Sequence, residues 1–294
     1  MAIRVFTDVT CDLPAAYAKE RDLTILPMTV TLDEREFQYS GDPDRDAIGI
    51  HAYYDALRSG SSSRTAQVNM QLYLDTFTEV VAAGDECVYI AFSSGLSGSY
   101  ASACLAREQI EEKYPGKLFV VDSLCASLGQ GLLVHLVLDK RDEGASAAEL
   151  AAYAEAMRLR VNHWFTVDDL MFLKRGGRVS GVAAVMGSML SIKPVLYVDN
   201  EGHLIPVNKV RGRKRALKAL ADKMAELAPG AAEWPIFISH GDCEADARLV
   251  EGLVKKQTGK EALVFNPISP VIGAHSGPGT AALFFISDGP ERGK

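Results

Sequence analysis

The chain has 294 residues, of which 48% are hydrophobic and 23% charged, and its formal net charge is −7. This composition is typical of a globular protein with a sizeable core, and the length favours two domains over one. The acidic balance disfavours nucleic acid as a partner, because phosphate binding requires a basic surface.

Neither a targeting segment nor a disulfide framework is predicted. No apolar run approaches the roughly 18 residues of a membrane span, and the N-terminus enters a strand-like run without the segments of a signal peptide. The five cysteines are widely spaced and form no CxxC pair, which argues against disulfides and zinc. We therefore expect a cytoplasmic protein without a metal centre or a cofactor.

In the first half of the chain, short β-branched runs alternate with helical patterns. Strands are predicted at 3–7, 24–30, 87–92 and 118–122, and helices at 44–57, 72–82, 99–112 and 130–141. This alternation is typical of an α/β fold with a doubly wound, mainly parallel sheet, which we assign to a domain of residues 1–157.

After about residue 157 the pattern changes. Residues 168–178 predict a short helix that ends at glycine, and apolar residues from Val182 to Leu190 recur at helical spacing. Two strand-like runs at 194–198 and 204–207 flank a turn sequence, which predicts a hairpin. We assign residues 158–294 to a second α/β domain with a mixed or antiparallel sheet.

The run AFSSGLSGSY at 91–100 is unusually rich in serine and glycine. Like 8–12 and 122–123, it follows a predicted strand, so three loops should meet at one sheet edge, where α/β sheets bind ligands. Backbone N–H groups at 95–99 lie at the start of a predicted helix, where unsatisfied donors favour an anion. The alternative interpretation is a turn and a helix cap, for which serine and glycine are common.

No enzyme motif fits this loop. A nucleophile elbow requires G-x-S-x-G, but the loop contains G-L-S-G-S. The chain has no phosphate-binding G-x-x-x-x-G-K-[ST] and no complete dinucleotide fingerprint. A serine hydrolase or acyltransferase stays an alternative if Ser93 or Ser97 meets His275 in space, with Asp8 or Asp122 behind it.

Two further segments carry chemistry. The run 209–218 contains six basic residues in ten, which is by default a solvated helix face but also suits docking of an acidic or phosphate-bearing partner. His275 stands in the glycine-rich run 273–279, which predicts a loop with close backbone approach. The acidic run 242–246 predicts the first turn of a helix rather than a cation site.

Five segments, in the same order over most of the chain, resemble the DegV family. They are FSSGLSGSY (92–100), Asp169-Leu170 with LKRGGRVSG (173–181), IKP (192–194), VRGRK (210–214) and HSGPG (275–279). The resemblance implies a non-catalytic protein that holds a long-chain fatty acid between two domains. It implies that the carboxylate is presented to a separate fatty acid kinase, which forms an acyl phosphate, and that the protein transiently contacts a membrane acyltransferase system.

By the same resemblance, one set of residues binds the ligand and another docks the kinase. The predicted ligand-binding residues are Thr65, Ser93, Ser94, Gly95, Ser97, Arg178, His275 and Ser276. Arg211, Arg213 and Lys214 are predicted to dock the partner. Gln130 stands where the family has an apolar residue, so either its side chain points away from the apolar slot or the ligand differs. A sensor of another carboxylate is the remaining alternative.

Overall fold

The computed structural model describes residues 2–179, 192–230 and 233–293. Its helices are α1 Ala15–Glu20, α2 Ile50–Arg58, α3 Met70–Ala82, α4 Ser99–Glu111, α5 Leu128–Asp142, α6 Ala147–Met157, α7 Met171–Arg175, α8 Arg213–Leu227, α9 Glu244–Thr258 and α10 Pro270–Ser276. Its strands are β1 Ile3–Asp8, β2 Leu23–Leu26, β3 Met28–Leu32, β4 Arg35–Tyr39, β5 Ser63–Ala66, β6 Glu86–Ala91, β7 Leu118–Asp122, β8 Val161–Thr166, β9 Ile192–Val198, β10 Leu204–Arg211, β11 Phe237–His240, β12 Val264–Pro267 and β13 Ala281–Ile286. The apolar helix predicted from Val182 to Leu190 lies outside the described residues.

The first sheet confirms the doubly wound prediction. Its four parallel strands have the order β2-β1-β6-β7, so the direction of strand progression reverses between β1 and β6. Val88 and Ile90 pack with α5 and α6 on one face, whereas Tyr89 and Ala91 pack with α3 and α4 on the other. The loops after β1 and β6 therefore diverge at the carboxyl edge and leave a crevice between them.

Two predictions in the first half were wrong in detail. The single strand predicted at 24–30 is two strands separated by Pro27, and β3 belongs to an antiparallel sheet of order β4-β3-β5. The helix predicted from residue 44 begins at Ile50. Asp42 holds the preceding residues in a turn, because its carbonyl accepts the N–H groups of Arg45 and Asp46. Local turn chemistry thus overrides the helical spacing.

The third sheet is mixed and has six strands in the order β10-β9-β8-β13-β11-β12. The predicted hairpin is confirmed as the antiparallel pair β9–β10, with Leu204 opposite Val198. Helices α8 and α9 cover one face of this sheet. The strands of the first two sheets end by Asp122 and those of the mixed sheet start at Val161, which supports the domain boundary that we propose near residue 157.

Helix α5 lies between the parallel sheet and the mixed sheet. Its residues 128–138 are all buried, as expected for a helix that is covered on every side. Two glycines allow this close packing: a Cβ on Gly129 would lie 2.0 Å from His163 Nε2, and one on Gly131 would lie 2.8 Å from the carbonyl oxygen of Cys11. Any larger residue at these positions would push the sheets apart.

A buried carboxylate joins the two halves beside this helix. Asp12, in the loop after β1, accepts hydrogen bonds from the Ser127 hydroxyl and from the N–H of Ser269, the N-cap of α10. Burial is the main cause that raises the pKa of Asp12 to about 7. Its charge therefore changes near neutral pH.

Asp12→Asn should change the pH dependence of stability. The pKa rises from 3.8 in the unfolded chain to about 7 in the folded protein, so the folded state binds the extra proton between these values. Asp12 therefore makes the free energy of unfolding fall with rising pH, by at most about 1.4 kcal/mol per pH unit. The neutral asparagine lacks this effect, so in urea unfolding the stability of the variant relative to wild type should rise between about pH 4 and pH 7 and stay constant above that range.

Asp22→Asn is the matched control, because Asp22 also has a positive φ but is exposed. Replacing this exposed carboxylate should not reproduce the pH-dependent gain of Asp12→Asn. Parallel profiles for wild type and Asp12→Asn would contradict the buried, titrating carboxylate.

Candidate functional site

A cavity of about 280 Å³ lies where the carboxyl edge of the parallel sheet faces the mixed sheet. Elements of both halves line it, including the loops after β1 and β6, strands β8 and β13, and helix α10. Most of the wall is apolar and includes Phe92, Leu96, Phe165, Leu173, Ile272 and Phe284. We call this space the inner cavity.

Strand periodicity builds the wall of the inner cavity on the mixed sheet. Ala282 and Phe284 alternate along β13 and stand opposite Phe165 and His163 on β8. Phe284 lies four residues beyond Thr280, about 13 Å along the strand, and the Thr280 hydroxyl lies 2.9 Å from the carbonyl oxygen of Ser276 at the end of α10. The wall therefore extends from the end of α10 into the centre of the sheet.

His163 behaves as an apolar part of this wall. Its Nδ1–H donates to the Val161 carbonyl (3.0 Å), and its Nε2 accepts the N–H of Ala126 (3.2 Å). Burial lowers the pKa of His163 far below its usual value. The ring is therefore neutral and both nitrogens are occupied.

The polar end of the inner cavity contains a threonine, a histidine and an arginine. Thr65 Oγ1 lies 2.9 Å from His275 Nε2. Arg178 lines the same end, and its Nε and Nη1 donate to the carbonyls of Leu96 and Gly176. Burial, and secondly the charge of Arg178, lower the pKa of His275 to about 4. The histidine is thus neutral at pH 7 and the arginine supplies the positive charge.

His275 belongs to a helix and not to the predicted loop. It lies in the last turn of α10, which starts with Ser269 as N-cap and Pro270 at its first position. Gly273 allows the helix to pack on the first half, because a Cβ there would lie 2.5 Å from the Tyr54 hydroxyl. The sequence signal for this helix start is the Ser-Pro pair at 269–270.

Ser276 carries a polar atom that faces the cavity without a protein partner. Its side chain lines the inner cavity and the residue is only 6% exposed. Within the part of the chain that the structure describes, its buried Oγ has no hydrogen-bond partner. A buried hydroxyl without a partner is costly, so this atom favours a ligand with an oxygen.

Part of the serine–glycine loop holds neighbouring segments in place, and another part lines the inner cavity. The Ser93 hydroxyl donates to the Gly202 carbonyl (2.9 Å), and the Ser94 N–H donates to Asp122 (3.1 Å), so these atoms hold the loop and the β9–β10 turn. Gly95 lies against the same turn. Ser97 and the neighbouring Gly98 do line the inner cavity, and Ser97 Oγ also accepts the Ser99 N–H at the start of α4.

Gln130 points away from the cavity, which was one of the two expected outcomes. Its Nε2 donates to Thr7 Oγ1 (2.9 Å), and its Oε1 lies 2.7 Å from Thr10 Oγ1. The fully buried amide is therefore satisfied inside the first half.

The three basic residues predicted to dock a partner differ in their surroundings. Arg211 and Lys214 are exposed at the junction of β10 and α8. The Arg213 guanidinium is instead engaged within the protein, because it donates to Asp246 (2.7 Å) and to the Gly279 carbonyl (2.6 Å). The structure thus gives Arg213 a role in fixing the loop after α10.

The described residues do not form the hydrolase arrangement of His275 with Ser93 or Ser97. His275 pairs with Thr65, and no hydrogen bond between the described residues joins it to Ser93 or Ser97. Asp8 accepts from the Tyr89 hydroxyl (2.7 Å) instead of orienting a histidine. The same residues contain no group of three potential metal ligands, and no helix among them is long and apolar enough to cross a bilayer.

A second space of about 570 Å³, the outer chamber, adjoins the polar end of the inner cavity. The two spaces share Thr65, Arg178 and His275. The outer chamber is otherwise lined by residues 61–64, Phe172, Arg175, Gly176 and Ala274. The three shared side chains therefore stand at the junction of an apolar space and a polar one.

Gly176 is a site residue that sequence reasoning assigned only to a helix end. Its φ of −70° suits any residue, so conformation does not require glycine here. A Cβ would, however, lie 2.4 Å from His275 Nδ1. Close packing of the imidazole on the backbone therefore requires this glycine, and no local pattern reveals such a contact.

Comparison with known proteins gives consistent matches over the whole chain. The family model described as "Uncharacterised protein, DegV family" matches residues 2–288. A DegV domain-containing protein of Clostridium perfringens is 39% identical over 288 residues, which cover 98% of each chain. A DegV family protein of Thermus thermophilus, described by its fatty acid binding, has a TM-score of 0.84 at 29% identity, with 98% of this chain and 100% of that chain covered.

A solved structure of DegV from Bacillus subtilis, described as a fatty acid binding protein, is also similar. Its TM-score is 0.81 at 26% identity, and the match covers 98% of this chain and 100% of that one. The similarity therefore extends over both sheets and the cavity between them.

Gly176→Ala should displace His275 and destabilise the protein. The methyl group would overlap the imidazole, and overpacking of this kind costs about 1–3 kcal/mol. Thermal unfolding measures the loss, and the NMR shifts of the His275 ring report its displacement. Gly252→Ala is the control, since a Cβ in that part of α9 meets nothing within 4 Å; it should be neutral or stabilising by up to about 1 kcal/mol. Unchanged stability and ring shifts in Gly176→Ala would contradict the packing argument.

Proposed function

The chain belongs to the DegV family, and we propose that it binds a long-chain fatty acid in the inner cavity and presents the carboxylate to a separate kinase. The observation that carries the proposal is a mainly apolar cavity that holds Thr65, His275 and Arg178 at the end adjoining the outer chamber. Fatty acid binding by the Thermus thermophilus and Bacillus subtilis relatives supports it.

The tail of a fatty acid accounts for the apolar wall. Burying roughly 15 methylenes at about 0.8 kcal/mol each contributes more than 10 kcal/mol before the costs of association and ordering. Phe165 and Phe284 from the mixed sheet and Ile272 from α10 supply surfaces for this contact. Affinity therefore comes from the tail.

The carboxylate accounts for the polar end. His275 Nδ1 is buried against Gly176 and has no partner in the described part of the chain. Since buried N–H groups without acceptors are rarer than unsatisfied acceptors, we place the proton of the neutral ring on Nε2, where it is donated to Thr65 Oγ1. The Thr65 hydroxyl hydrogen is then directed to the ligand, and Arg178 supplies the compensating charge.

The hydroxyls of Ser276 and Ser97 are further groups that can bind the carboxylate in this proposal. Both line the inner cavity, and the unpartnered Ser276 Oγ gains an acceptor when a ligand oxygen is present. Ser93, Ser94 and Gly95 contribute indirectly, because they fix the loop that carries Leu96 and Ser97.

The protein acts in this proposal as a carrier and not as a catalyst. His275 pairs with Thr65, and no hydrogen bond between the described residues joins it to Ser93 or Ser97, so it is not placed to activate either serine. Arg211 and Lys214 are exposed and suit an acidic surface on the kinase. In the same proposal, the acyl phosphate passes to a membrane acyltransferase system through a transient contact.

Freshly purified protein should carry fatty acid at about one molecule per chain. Native mass spectrometry measures the mass of the bound molecule, and solvent extraction identifies it as a free carboxylic acid. A protein without ligand that also fails to bind fatty acids after delipidation would contradict the proposal, as would hydrolysis of short acyl esters that depends on Ser93 or Ser97.

Thr65→Val should lower fatty acid affinity about tenfold or more, because it removes a donor to a charged group. Thr24→Val, at an exposed position of β2, should leave the affinity unchanged.

Arg211→Ala should separate binding from presentation. The variant should bind fatty acid as wild type does, because Arg211 is exposed and lines neither space. Its rate of phosphorylation by the partner kinase should fall several-fold and respond less to salt. Lys218→Ala, on the exposed side of α8, is the control. Loss of fatty acid binding in Arg211→Ala would refute this division of roles.

A further inference from the structure

The outer chamber is strongly biased towards positive charge. Three of its lining residues are arginines, namely Arg64 on β5, Arg175 at the end of α7, and Arg178. No aspartate or glutamate is among the described residues that line it. This is unusual on a chain whose formal net charge is −7, so the bias belongs to the site and not to the composition.

The charges of these arginines are not neutralised within the described residues. None of the salt bridges between those residues involves Arg64, Arg175 or Arg178. Arg175 lies over the Phe172 ring, 4.6 Å from its centre, and Arg178 donates to two carbonyls. Asp33 accepts the Ser62 N–H behind the chamber but does not line it.

A fatty acid carboxylate uses only part of this positive charge. It has one negative charge, and Arg178 at the junction of the two spaces compensates it. His275 adds none, because its pKa is lowered to about 4. Arg64 and Arg175 therefore supply positive charge beyond what one carboxylate requires. A phosphate monoester has a charge of about −1.5 to −2 at neutral pH and offers three acceptor oxygens, which suits two further guanidinium groups.

We infer that the outer chamber is a phosphate-binding site in which Arg64 and Arg175 bind a phosphate group joined to the head of the lipid in the inner cavity. The inference rests on the proposed function, because the inner cavity must hold the tail. A carboxylate lipid then fills the inner cavity alone, whereas a phosphorylated lipid of the same tail fills both spaces. The arginines thus favour the phosphorylated form and retain it.

Two probes with the same tail test the site without a kinase. Hexadecanoic acid and hexadecyl phosphate are titrated into delipidated full-length protein, with competition against a fluorescent fatty acid as the readout. Wild type should bind both. Arg64→Gln/Arg175→Gln should lose about tenfold or more in affinity for hexadecyl phosphate and change less than about twofold for the acid. The wild-type affinity for the phosphate should also fall more steeply with salt.

The control is Lys113→Gln/Lys256→Gln, which removes the same charge from exposed positions that line neither space. It should leave both affinities unchanged. Wild type that binds the acid but not the phosphate would overturn the inference alone, whereas failure to bind either lipid would overturn the proposed function. If the double variant binds hexadecyl phosphate normally but slows the kinase reaction, the arginines dock the partner and the inference is wrong.

Discussion

The close packing of α5 between two sheets is the constraint on which the rest of the structure depends. A helix that is buried on all sides must pack against the parallel sheet and the mixed sheet at the same time. Gly129 and Gly131 set how closely the two sides approach the helix. Where α5 begins, Ala126 and Ser127 line the inner cavity, so the space opens at the point where the helix no longer fills the gap. The separation imposed by α5 therefore defines both the core and the site.

Polar contacts fix the two halves around this gap. Asp12 of the first half accepts the N–H of Ser269 from the second half, and the Ser93 hydroxyl holds the β9–β10 turn through the Gly202 carbonyl. Near the C-terminus, the buried Arg292 of the second half donates to Cys125 Sγ of the first half (3.1 Å). Such buried contacts are costly to break, because each would leave an unsatisfied polar group. They keep a cavity open against hydrophobic collapse.

The site places an apolar surface and a positively charged surface one after the other, on either side of Thr65, Arg178 and His275. The inner cavity is mainly apolar, His275 and Thr65 stand at its end, and the outer chamber beyond them is lined by three arginines. An amphiphile with a long tail and a small anionic head matches this order. Burial keeps His275 neutral, so in the proposed function the head group is oriented by hydrogen bonds and by the charge of Arg178.

The sequence by itself determined the local elements and the family. Alternating strands and helices predicted the parallel sheet, the turn at 199–203 predicted the hairpin, and the family resemblance predicted Thr65 and His275 near the same ligand carboxylate. These features depend on short-range periodicity, turn chemistry and resemblance. The start of the helix that carries His275 also has a local signal, the Ser-Pro pair at 269–270. Tertiary structure decided the rest: the split of 24–30 into strands of different sheets, the inward pairing of Arg213, and the packing of Gly176 on an imidazole. Each of these depends on contacts between residues far apart in the chain, which no local pattern encodes.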